Sequence, residues 1–490
     1  MGKRQTGGWV FVLAAMLLAT GLRVLAAENN LWFDEIISVE MASQMSGPAG
    51  TFTEFNYDNN HYLNTLWVYC LGKHNNELLY RLPAIIAGIL TIPAVWWALC
   101  PWGRFAQRAG ALLIAISHVH VHYSSEARGY ALQILFAIIA FGYLERFHRK
   151  DRPALAWLFG LFCSLSIVSH LLSINFFLAC LFWTIAVQTR RDQSLWEQAK
   201  RLVWCHALPV LTGAVLYLVH VRHLQFGGGP KHNTLEVIAS AWSLLLGIAE
   251  PGPGRLLCGV LALSFVIAAI YVCRASEAKQ GETNSHQWRF FVVFLLLIPL
   301  IRITIPGSLL FVRYFLLQLT FGVMLLAIAM SVYLTRRANT RRVVWLTLLV
   351  LVAANMVQNI HLIRTGRGDY QSVVNRIATD SPNQSVTIGS TNNILDGPVL
   401  DYFGEQTELV GKHFEIREPD EYPDWLILHR TMDCATRPQP LQPVVEIDEH
   451  IYRLTQLSRA SYLSGFEWRC YRRVTPLQRQ VKVIPAAWSR

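Results

Sequence analysis

For three quarters of its length the chain alternates long apolar runs with short polar breaks, and then that rhythm stops. A helix needs about 20 apolar residues to cross a bilayer. Runs of about that size can be marked at 9–27, 79–100, 107–123, 127–146, 153–170, 171–188, 201–222, 254–273, 289–306, 311–334 and 341–361. Beyond residue 362 the pattern shortens. Residues 369–380 predict a helix, and 385–389, 424–428 and 467–473 predict strands. The expected architecture is a polytopic α-helical membrane protein of about eleven transmembrane helices with a small C-terminal α/β extracytoplasmic domain, divided at 1–361 and 362–490. No internal repeat is visible, which argues against a transporter, a class commonly built from repeats.

Charge gives this pattern a direction. Of the 490 residues, 53% are hydrophobic and 15% charged, well short of the roughly 25% charge of soluble domains. The net charge of +11 sits mostly in short loops such as Arg149–Arg152, Arg190–Arg191, Arg336–Arg337 and Arg341–Arg342, a distribution that marks a cytoplasmic face rather than a nucleic-acid partner. With Lys3 and Arg4 cytoplasmic, every second loop is basic. The alternate loops, 28–78, 118–126, the turn at His170 and 223–253, are polar or acidic. This parity predicts a cytoplasmic N-terminus and an extracytoplasmic C-terminal domain in the inner or plasma membrane. The first run ends Val24-Leu25-Ala26-Ala27 and contains Arg23, a poor signal-peptidase site, so it reads as a retained helix.

Seven of the nine cysteines lie in or beside apolar runs; Cys434 and Cys470 lie in the polar C-terminal part and are expected to pair in an oxidising compartment, two unpaired thiols in a small core being the alternative. Gly227-Gly228-Gly229-Pro230 opens a long external loop, expected to act as a lid or to serve as a connector.

The candidate chemistry gathers on the outer side. Asp34 and Glu35 follow the first run beside Trp32 and Phe33. A partly desolvated carboxylate there can act as a general base, and a solvated loop charge is the alternative. Glu126 and Arg128 stand at a membrane boundary, where charge is costly without a partner or a task. A carboxylate at a helix start explains Glu126 but not Arg128. His118, His122 and Glu126 are spaced as metal ligands on one helical face, a register that an expected break near Ser124 would interrupt; interfacial histidines are the other account. Arg302 and Arg313, the latter beside Tyr314, either grip phosphate or snorkel to head groups. Arg81 and His61 add titratable or cationic groups.

Together these pieces resemble the GT-C superfamily of integral-membrane glycosyltransferases, and more narrowly the branch of protein mannosyltransferases, aminoarabinose transferases and rhizobial lipid A galacturonosyltransferases. The likeness rests on Trp32-Phe33-Asp34-Glu35, on His61-Tyr62-Leu63 with Arg81-Leu82-Pro83-Ala84, on Tyr123-Ser124-Ser125-Glu126-Ala127-Arg128-Gly129-Tyr130, and on Arg313-Tyr314-Phe315. The branch's two prolines after the His are Tyr62 and Leu63 here, and its acid and Lys are replaced by Asn60 and His61. A divalent metal is therefore possible but not required, and the sugar is open. The resemblance implies a hexosyl- or pentosyltransferase that moves a sugar from a polyprenyl-phosphate donor to an envelope glycan, lipid or protein acceptor. Asp34 and Glu35 would be catalytic. His61, Arg81, Glu126, Arg128, Tyr130, Arg313 and Tyr314 would bind the donor among the membrane lipids, with no nucleic acid involved. A flippase for a lipid-linked sugar is the alternative.

Overall fold

The computed structural model describes residues 3–190, 193–225, 232–249, 254–279, 285–304, 310–336, 338–406, 412–432 and 440–474. The expected lid at Gly227–Pro230 and the expected disulfide partner Cys434 lie outside them. The chain divides into two compact units, one of residues 1–27 and 41–360, the other of residues 28–40 and 361–490.

The first unit is helical. Its leading elements are α1 (Lys3–Ala27), α2 (Phe33–Gln44, shared with the second unit), the single turn α3 (Gly50–Thr53), α4 (Tyr62–Leu71), α5 (Glu77–Ala98), α6 (Gly103–Ile116), α7 (His118–Tyr123) and α8 (Tyr130–Lys150). There follow α9 (Pro153–Ser169), α10 (Ser173–Gln188), α11 (Leu195–Val219), α12 (Thr234–Leu245) and α13 (Arg255–Glu277). The last are α14 (Gln287–Val292) and α15 (Ile298–Thr304), joined through Val293–Leu297, then α16 (Leu316–Arg336) and α17 (Ala338–Thr365). Among the described residues, seven stretches are long and apolar enough to cross a membrane, and four shorter apolar helices accompany them.

Lipid, not water, suits the outside of this bundle. On α11, Val203, Val210, Leu211, Val215 and Leu218 are exposed, and α13 shows Leu257, Val260, Phe265 and Ile267 in the same way. Leaving such side chains in water forgoes about 1.5–3 kcal/mol each. The span containing α16 is 94% buried and forms the centre, where Phe321 meets Phe141, Phe176, Phe290 and Phe294 at 5.1–5.5 Å between ring centres.

The single run expected over 107–123 is two helices, broken at Ser117. A break inside a bilayer leaves backbone groups with no water to bond. Here side chains take them up. The Arg23 guanidinium donates to the carbonyls of Ala115 (3.0 Å) and Ile114 (3.4 Å), Asn359 donates to that of Ile116 (2.6 Å), and Asn355 accepts from the His118 N–H (2.8 Å). Pro83 inside α5 frees the Leu79 carbonyl in the same way, and the Trp67 indole donates to it at 2.9 Å.

The second unit is an α/β domain. Helices α18 (Tyr370–Asp380) and α19 (Asn393–Gln406) accompany strands β1 (Ser385–Ser390), β2 (His413–Arg417), β3 (Trp425–Thr431), β4 (Val444–Ile447), β5 (His450–Ser458) and β6 (Phe466–Arg473). The sheet order is β2-β1-β3-β6-β5-β4, with β2, β1 and β3 parallel and the remaining pairings antiparallel. Leu426, Tyr452 and Tyr471 build one core on the sheet. Tyr370 and Phe403 from the helices pack together, and Tyr370 meets Trp468 of β6 at 4.8 Å between ring centres. Cys470 is buried in β6.

Candidate functional site

Several of the residues singled out in the sequence meet in the helical unit around His61, which precedes α4. Its ring is buried and lies 5.2 Å from Tyr130, at the start of α8, and 4.6 Å from His170, between α9 and α10. Tyr130 and His170 are themselves 4.8 Å apart, and Tyr123 stands 5.1 Å from Tyr130. The backbone must come close for this to happen. A Cβ on Gly129 would sit 2.2 Å from the Ser169 carbonyl and 2.9 Å from the His61 Cβ, so glycine is the residue that lets the turn before α8 seat against both.

Two guanidinium groups bear on this cluster. Arg128 donates to Asn59 and lies 5.7 Å from the Tyr130 ring centre. Arg313 lies 4.5 Å from the Phe311 ring in the turn that leads into α16, and with Tyr314, Gln133, Asn175 and Gln318 it lines a narrow cleft. The positive charges of both arginines act on His61 and on His170. Burial first, and then the charges of Arg128, His170 and Arg313, hold the His61 imidazole well below the ordinary histidine range. Two arginines, half-buried or deeper, thus act on the same two buried imidazoles, and guanidinium groups are suited to gripping an anion.

Glu126 and Arg81 stand differently from what their charges alone suggest. Glu126 is fully buried and pairs with His122 at 3.0 Å, and His122 faces His118 at 5.8 Å between ring centres. The expected break therefore leaves the three in contact. Among the described residues, however, no three His, Cys, Asp or Glu side chains are placed to hold a metal ion. Arg81 is buried and donates to the Ala27 carbonyl at 2.7 Å, where α1 ends and helix partial charge favours a cation. The Arg302 side chain lies outside the described part.

Asp34 and Glu35 open α2 in the second unit. Glu35 is buried, and its carboxylate accepts from the Trp32 N–H at 3.2 Å, the reach-back of a residue three places into a helix. Asp34, one place earlier, is half-buried. The pair thus divides into a buried, helix-closing carboxylate and a half-buried one.

No protein-family model matches this sequence, and no curated protein matches it. Solved structures do. ArnT from Cupriavidus metallidurans in the apo state aligns with TM-score 0.52 and 12% identity over 86% of this chain and 93% of ArnT. This chain and ArnT share a fold. The same ArnT bound to undecaprenyl phosphate gives TM-score 0.50 over the same shares. The Archaeoglobus fulgidus oligosaccharyltransferase tethered with an acceptor peptide gives 0.45 at 12% identity, covering 76% of this chain. This chain spans 57% of that enzyme's length.

Sequence reading missed His170 and Asn59. His170 carries a signal, an imidazole at the junction of two apolar runs. Asn59 carries none, because it matters only through the position of Arg128.

Proposed function

We propose that the protein transfers a sugar from a polyprenyl-phosphate carrier to an acceptor at the outer face of the bacterial inner membrane. The single observation that supports this most is the convergence of Arg128 and Arg313 on the His61–His170–Tyr130 cluster in a GT-C fold. The likeness to ArnT concerns the fold; its bound undecaprenyl phosphate suggests the class of donor. In this reading Asp34 takes the proton of an acceptor hydroxyl as that oxygen bonds to the anomeric carbon. The anomeric carbon–oxygen bond breaks, and its electron pair leaves on the carrier phosphate, whose growing charge Arg128 and Arg313 offset. Tyr314 shapes the cleft beside Arg313, while Glu126, Arg81 and Glu35 act as positioning residues. The N-terminus is cytoplasmic, and the C-terminal domain and residues 28–40 are extracytoplasmic.

The test uses purified protein and a panel of polyprenyl-phosphate sugars. Asp34→Asn is expected to cut turnover by at least about 100-fold, the lower range of general-base contributions, with membrane insertion intact. Arg313→Gln should raise the donor dissociation constant about tenfold or more, with Arg313→Lys intermediate because it keeps charge but loses the fork. Equal donor affinity in all three proteins would remove Arg313 from the site, and wild-type turnover by Asp34→Asn would remove Asp34 as the base.

A further inference from the structure

In sheets of the kind formed by β1, β2 and β3, ligands ordinarily sit beyond the carboxyl ends of the parallel strands, where the strand order reverses. Here that point lies between β1 and β3, because β2 is on the far side of β1. The side chains there are spoken for. Asp396 of α19 accepts from His429 Nδ1 (2.6 Å), from the Trp468 indole (2.7 Å) and from Ser390, while His429 Nε2 meets Thr431 at 3.2 Å. Phe466, paired across the sheet with Thr431, covers the His429 ring at 4.3 Å.

What lies on Phe466 is the chain's own acid-bearing segment. Trp32 meets it edge-on at 6.4 Å and Phe33 at 6.0 Å. Two hydrogen bonds to asparagine side chains hold the same stretch: the Arg367 guanidinium donates to Asn29 (3.3 Å), and the Gln371 N–H donates to Asn30 (3.2 Å). Arg367 and Phe466 are locked to each other by one phenol. Tyr370 donates to the Arg367 carbonyl at 2.6 Å and accepts from the Phe466 N–H at 2.7 Å. Gly465 is needed beneath them, since its φ is +91° and a Cβ there would fall 1.9 Å from the Arg367 carbonyl.

We infer that the C-terminal domain is an internal holder for residues 28–40, and that Tyr370, Arg367 and Phe466 are positioning residues for Asp34. The edge at which an α/β domain would receive a small molecule receives Trp32 and Phe33 instead. Glu35 then closes the start of α2, and Asp34 is delivered as a half-buried carboxylate on a braced turn. The assignment of Asp34 rests on the proposed transferase reading; the bracing does not.

The test follows backbone hydrogen exchange in the full-length protein in lipid nanodiscs, for wild type, Tyr370→Phe, Arg367→Gln and, as control, Tyr452→Phe. The control removes a hydroxyl that donates to the Pro423 carbonyl elsewhere in the same domain. Tyr370→Phe keeps the ring and serves should Arg367→Gln fold poorly. Exchange in 28–40 is expected to quicken at least tenfold in both clamp variants and to stay at the wild-type rate in the control. Unchanged exchange in 28–40, or quickening spread over the domain equally in the control, would overturn the inference. With an active donor in hand, the clamp variants should lose kcat, counted per folded molecule, while donor KM holds, and the Tyr452→Phe control should keep both. Faster exchange in 28–40 without any sugar transfer by the wild type would leave the holder standing and remove the transferase reading.

Discussion

A buried imidazole set beside two guanidinium groups ionises at a lower pH than one in water, and His61 is such a ring. Its ordinary value is 6.5, and burial with Arg128, His170 and Arg313 takes it well below. The unfolded chain binds a proton there near pH 6.5, whereas the folded chain resists until much lower. The stability that His61 contributes is therefore complete above pH 6.5 and is lost as the pH falls through 6.5 toward the folded value, at up to about 1.4 kcal/mol per pH unit. His61→Gln should accordingly lose less of its thermal midpoint than wild type between about pH 7.5 and 5.5. Parallel declines in the two proteins would show that His61 does not titrate as argued. The same scale separates Asp34 from Glu35. Neighbours in sequence, they differ in burial, and the Glu35 carboxylate reaches back to the Trp32 N–H.

Broken helices are the feature that sets element positions in this bundle. Without the stop at Ser117, α7 would continue the direction of α6, and His122 and Glu126 would not come to the turn that presents Arg128. Arg23 makes that stop tolerable by closing the carbonyl end of α6, and it also accepts the cost of being a buried cation in an apolar span. Which effect wins decides the outcome of Arg23→Met. Replacing a whole buried polar pair by apolar groups is often harmless, but this change removes the donor alone and leaves two carbonyls behind. Each orphaned acceptor costs about 1–3 kcal/mol, so a loss of about 2–6 kcal/mol is expected. Thermal unfolding of the variant in the same detergent measures it, and a midpoint equal to wild type would mean that water or a shifted backbone replaces the guanidinium. Deep charge is what a flippase would require, but these bonds explain Arg23 without one.

For the whole molecule, the proposed orientation can be read from two cysteines. Cys70 and Cys100 are both exposed and flank α5, a 22-residue helix. At 1.5 Å per residue that helix is about 33 Å long, close to a bilayer's apolar thickness. In intact cells a membrane-impermeant maleimide should label Cys70 and leave Cys100 untouched until the membrane is opened. Labelling of Cys100 alone would invert the topology. Cys470 should remain unreactive in both cases, because burial pushes its thiol pKa up and shields it.

The amino-acid sequence by itself determined the membrane class, the approximate spans, the helix at 370–380 and three of the six strands, because lipid and sheet cores impose local periodicities. It also marked Asp34, Glu126, Arg128 and Arg313, because charge at a membrane boundary is conspicuous against apolar runs. The shorter strands β2 and β4, the alternation of β5 and the helix α19 gave weaker signals and went unmarked. Tertiary structure alone decided the rest. Hydropathy does not say that the run over 107–123 breaks at Ser117, since the groups that satisfy the break come from Arg23, Asn355 and Asn359, far away in the chain. Nor does it say that residues 28–40 fold with the C-terminal domain, a grouping that rests on Arg367, Tyr370 and Phe466 more than 300 positions later. Periodicity records which environment each residue prefers; which distant partner supplies that environment is settled by packing.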